Sequence, residues 1–95
     1  MNNEKPISRA VWKYRLERTD ENIIKMPRGA IPRRAIARDG ELWLWVEVDT
    51  TLIQIPHLIQ IVGTGHETIR GGTYVDTMFD GPYVWHVYWH GEVEK

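Results

Sequence analysis

The run Glu41-Leu42-Trp43-Leu44-Trp45-Val46-Glu47-Val48-Asp49 changes character at every step, and a period of two belongs to a strand with one buried face. Leu42, Leu44, Val46 and Val48 fall on the inward side; Trp43, Trp45 and Glu47 fall on the other. Directly before it stands Asp39-Gly40, a pair that accepts positive φ at both centres of a two-residue hairpin turn. Ile31 to Arg38 is therefore read as the other arm of a hairpin, although Pro32 would also suit the first turn of a helix. Two adjacent indoles on one face form an apolar patch that soluble monomers rarely leave open, so this face must be partly covered.

The same alternation recurs along the chain. Val11 to Leu16 sets Trp12, Tyr14 and Leu16 against Lys13 and Arg15, and Ile23 to Met26 is a short strand stopped by Pro27-Arg28-Gly29. Thr50 to Pro56 reads as a loop, because proline confines a strand to an edge or a first position. His57 to Val62 reads as a buried strand that runs into Gly63-Thr64-Gly65-His66. Thr73 to Phe79 and Tyr83 to His90 flank an Asp80-Gly81-Pro82 turn. Seven short segments joined by Gly and Pro turns predict an all-β fold, a compact antiparallel sandwich or open barrel. Residues 1–9 are polar and contain proline, so a flexible leader is expected ahead of a single β domain over 10–95.

The 95-residue chain has no cysteine, which excludes disulfides and thiolate chemistry and is compatible with a reducing cytoplasm. No segment approaches the roughly 18 apolar residues of a membrane helix, and the N-terminus has no apolar signal region, so a cytosolic protein with no membrane partner is expected. A chain this short buries only about 60% of its surface, which favours a homo-oligomer. The net charge of -1 conceals a division: residues 1–38 carry ten Lys or Arg against four acids, and residues 39–95 carry two against nine. Pairing between a basic and an acidic half explains this without any function; a basic face for an anionic ligand is the alternative.

Gly63-Thr64-Gly65-His66 is the first candidate site. Two glycines expose backbone amides to which a phosphate group binds, with His66 or Arg70 as its charged partner. The simpler reading is a tight turn with positive φ at both glycines. His66-Glu67-Thr68 has the His-x-Thr form that two-histidine phosphoesterases use in pairs, but no second copy exists, and an enzyme using His66 is the weaker alternative. His86 and His90, four apart on a strand, stand about 13 Å from each other, too far for one metal, so both read as structural histidines. No metal and no cofactor is implied. The second candidate is the basic run with Arg33 and Arg34 beside Trp43 and Trp45, since guanidinium and indole serve phosphate contact and base stacking. The slightly negative net charge disfavours duplex nucleic acid, which needs many phosphate contacts.

Val11-Trp12-Lys13-Tyr14, Gly40 to Trp45, Ile61 to His66 and Val84 to Tyr88, in that order, give the chain its resemblance to a family of small phage-encoded proteins of unknown function. The chain departs from that pattern at Gly72-Thr73, where the family has a second Val-Gly-Thr. The resemblance implies a phage context, hence the cytoplasm of an infected bacterium. Its expected role there is non-enzymatic: binding and sequestering a small anionic, nucleotide-like signal of host defence near the Gly63-Thr64-Gly65-His66 loop, with the Gly63 and Gly65 amides on phosphate, Arg70 or an arginine of residues 28–38 pairing charge, and a Trp stacking. Inhibition of a host protein through the Trp43 and Trp45 face is the alternative.

Overall fold

The computed structural model describes residues 8–93. The expected leader falls mostly on residues 1–7, outside that range, but its last two residues lie within it. Ser8 O accepts hydrogen bonds from Thr50 N (2.8 Å) and Thr50 Oγ1 (3.3 Å), and the first strand opens at Arg9.

Seven strands follow: β1 (Arg9–Leu16), β2 (Glu21–Pro27), β3 (Ile31–Arg38), β4 (Glu41–Asp49), β5 (Gln54–Gly63), β6 (Thr73–Asp80) and β7 (Tyr83–Glu92). They form two antiparallel sheets, β1-β4-β3 and β2-β5-β7-β6. The sheets do not close into a barrel, so the architecture is the expected all-β sandwich. Ile31–Arg38 is a strand, and the Asp39-Gly40 turn that joins it to β4 has φ of 53° and 79°, the left-handed conformation its residue types favour.

The alternation of β4 is expressed in full. Leu42, Leu44, Val46 and Val48 are all completely buried. They meet Leu16 and Ala35 from their own sheet and Met26, Ile59, Ile61, Met78 and Val87 from the other. At one side β3 lies along β6, and Asp76 Oδ2 accepts from Ala35 N at 3.0 Å, so a side chain satisfies a strand edge that has no ladder partner.

The segment before His57 corrects the sequence expectation. Strand β5 begins at Gln54, and Pro56 is its third residue in an inner strand, paired with β2 at Lys25. The proline is tolerated because of where its nitrogen points. Pro56 O accepts from Val93 N, just past the end of β7, so the missing N–H falls on the side where the ladder is ending.

The divided charge of the sequence resolves in part into pairs across the chain, four of the basic half's cations meeting acids of the other half. Arg9 and Arg33 both reach Glu47 (3.0 and 2.6 Å), Arg15 reaches Glu41 (3.4 Å) and Arg18 reaches Asp80 (2.9 Å).

Candidate functional site

Glycine, threonine and histidine of the loop after β5 come to the surface at one end of the sandwich. Gly65 sits at φ 88° with no atom within 4 Å of the place a Cβ would take. Gly63 does not share that conformation, which corrects the expectation of positive φ at both glycines. Its Cα instead faces the His66 imidazole, whose Cε1 and Nδ1 lie 3.5 Å from a Cβ position, and His66 N donates to Gly63 O (3.1 Å) to close the turn. Gly63, Thr64 and His66 line a cavity of about 410 Å³ with Pro82, Tyr83, Val84 and Trp85. Tyr83 and Trp85 stack with ring centroids 5.7 Å apart.

Trp85 is pinned from below. Its Nε1 donates to Asp80 Oδ2 (2.9 Å), and the Arg18 guanidinium grips the same carboxylate through Nε and an Nη (2.9 and 3.0 Å) while also donating to Gly40 O. These bonds pull the Asp80 carboxyl down from the usual 3.8 to about 2, Arg18 contributing most and Trp85 next. A carboxyl lowered in the folded state stabilises it above the unfolded value and loses that contribution as pH falls toward the folded one. Asp80→Asn should therefore cost about 1 kcal/mol at neutral pH. In thermal melts the gap from the parent should close between pH 4 and pH 2; a gap constant over that range would contradict the network.

His86, read from sequence as structural, stands beside the same cavity. Its Nε2 shares a hydrogen bond with Thr64 Oγ1 (2.8 Å) and its Nδ1 one with Thr77 Oγ1 (3.0 Å), and Thr77 in turn bonds the Tyr74 hydroxyl. A signal for part of this was present: counting back across the Gly81-Pro82 turn places Thr77 opposite His86, which is the observed register. The approach of Thr64 depends on β5 pairing with β7, and no local pattern announces that. His90, on the same face, donates from Nε2 to Gln60 Oε1 at 3.0 Å.

The indoles belong to a different surface. On the outer face of β1-β4-β3, Trp45 lies between Lys13 and Arg34 in register, and Trp43 lies between Arg15 and Ile36. Lys13 Nζ sits 4.4 Å above the Trp43 ring and Arg34 Cζ 5.8 Å from that of Trp45. The two rings are half-buried, so cation stems supply the cover that the sequence required. A cleft of about 420 Å³ opens here, lined by Lys13, Ile36, Arg38, Asp39, Glu41, Trp43 and Trp45. Of the predicted binding residues, Arg34, Trp43 and Trp45 are brought together on this sheet, and Gly63, Thr64, Gly65 and His66 on the other. Trp43 and Trp45 line one hollow and Gly63, Thr64 and His66 another, with no residue in common, while Arg34 and Gly65 line neither. Arg33 is engaged by Glu47. Arg70 is exposed in the loop before β6. Lys13, which the sequence placed only on the face opposite Trp12, Tyr14 and Leu16, joins the indole site from β1.

Residues 7–95 match the model of a family described as a domain of unknown function, DUF7352. The chain belongs to this family. The match spans the stretches that carry the resemblance, and the family's description assigns no function. Comparison with curated proteins and with solved structures finds no match.

Proposed function

We propose that this DUF7352 protein is a binding protein for a planar, anionic, nucleotide-like ligand, held on the outer face of β1-β4-β3. One observation carries the reading: Trp43 and Trp45 line one cleft with Lys13 and Arg38, Lys13 lying over the Trp43 ring, and Arg34 approaches the Trp45 ring from beside that cleft. Side chains two apart on a strand are spaced by about 6.8 Å, room for one aromatic ring between two others. Lys13, Arg34 and Arg38 enter no ion pair among the described residues, which leaves them for phosphate, whereas Arg9, Arg15 and Arg33 are already committed to carboxylates. Small size of the ligand follows from the hollow's volume and from a net charge of -1. The resemblance to phage-encoded proteins supports sequestration of a nucleotide-derived defence signal as the purpose of such binding.

Titration calorimetry and indole fluorescence against mononucleotides, cyclic dinucleotides and ADP-ribose derivatives test the reading. At least one ligand should bind, and Trp45→Ala should weaken it by about tenfold or more, since stacking contributes about 1–3 kcal/mol per base. Arg33→Ala should change the affinity far less. Absence of binding across the panel, or equal affinity in Trp45→Ala, would reject it.

A further inference from the structure

The hydrogen-bonded chain at the other hollow is independent of the indole face. Thr64 is exposed, so water alone would satisfy its hydroxyl, yet that hydroxyl meets His86 Nε2 at 2.8 Å. Behind the imidazole, Thr77 Oγ1 holds Nδ1 at 3.0 Å and is itself held by Tyr74. Hydroxyl, imidazole and orienting group in series are the parts of an activated nucleophile. If Nδ1–H donates to Thr77, Nε2 is left as the acceptor for the Thr64 proton.

The surroundings suit acyl chemistry. Thr64 borders the 410 Å³ hollow, walled by Gly63 and His66 on its own loop and by Pro82, Tyr83, Val84 and Trp85 opposite, a place for an apolar acyl or aryl group, with Trp85 immobilised by Asp80. The next residue, Gly65, has open space where a side chain would stand, so a substrate can approach the main chain there. The amide following a nucleophile is a recurrent donor to the developing oxyanion.

From this geometry we propose that Thr64 is an acyl-accepting nucleophile, with His86 as its base and Thr77 and Tyr74 as positioning residues, acting on activated esters of short or aromatic acids. Thr64 Oγ adds to the ester carbonyl and its proton passes to His86 Nε2. Collapse of the adduct breaks the bond to the leaving oxygen, which takes that proton, and leaves the acid esterified to Thr64. Water activated by His86 then cleaves the Thr64 ester, releasing the acid. A hydroxyl behind the imidazole, in place of a carboxylate, stabilises imidazolium weakly, so turnover is slow and the acyl form accumulates.

Incubation with 4-nitrophenyl acetate or butyrate, followed by intact-mass and peptide mapping, should show one acyl group on Thr64 and a burst of nitrophenolate. Thr64→Val, close in shape and at an exposed position, and His86→Gln should each lower the burst rate about a hundredfold, while Thr64→Ser retains it. Thr77→Val should reduce the burst rate with little change in KM, and Thr77→Ser should restore it. An acyl group found only on lysine or histidine of the parent protein, or an unchanged burst in Thr64→Val, would overturn the proposal, and neither result bears on ligand binding at Trp43 and Trp45.

Discussion

Leu44→Ala is expected to lower stability by about 3 kcal/mol, the typical cost of a large-to-small change where the cavity cannot collapse. Leu44 is fully buried at the centre of β4, with Tyr14 opposite on one side and Ala35 on the other. Alanine is too short to fill the space, and Tyr14 is held in a strand. In a domain of this size each kcal/mol moves the melting temperature by roughly 4–8 °C, so calorimetry should record a drop of roughly 10–25 °C. Leu52→Ala, at a position 43% exposed, should move it very little. A shift of only a few degrees for Leu44→Ala would mean that β4 is not the centre of the core.

Acid should destabilise the protein beginning near pH 6.5, and His57 is the cause. Its ring is fully buried on β5. Trp89 Nε1 donates to Nδ1 at 3.3 Å, which places the proton of the neutral ring on Nε2, a buried nitrogen with no hydrogen-bond partner among the described residues. Burial pushes the imidazole below its usual 6.5, more strongly than nearby Glu92 and the main chain of Pro27 and Met26 raise it. A base depressed in the folded state remains neutral there while the unfolded chain takes up a proton. Stability is thus complete above pH 6.5 and falls below it, by at most about 1.4 kcal/mol per pH unit, until the folded group itself titrates. Chemical denaturation between pH 7.5 and 5 should show this slope, and His57→Gln, which keeps an acceptor for the Trp89 indole, should flatten it. An equal slope in both proteins would assign the acid sensitivity elsewhere.

Much of the fold was legible from short stretches. Perfect alternation located β1 and β4, and the Asp39-Gly40 and Gly81-Pro82 turns marked hairpins because their residues suit the backbone a tight reversal needs. Pro56 misled, since the rule against proline in inner strands holds only where a ladder partner stands opposite the nitrogen. The candidate sites were legible only in pieces. Gly63, Thr64 and His66 were visible as a loop and Trp43 and Trp45 as a face, but His86 seemed committed to structure until Thr64 and Thr77 were found on its two nitrogens.

By itself the sequence determined seven strands, the inward face of β4 and most of the turns, because side-chain period and turn chemistry act over a few neighbouring residues. Only the tertiary structure decided that β1 pairs with β4 and β2 with β5. Those pairings join segments far apart in the chain, and they are selected by which buried faces fit and which charges meet, as Arg9, Arg33 and Glu47 do. For the same reason Lys13 came to lie over Trp43, and Thr64 beside His86.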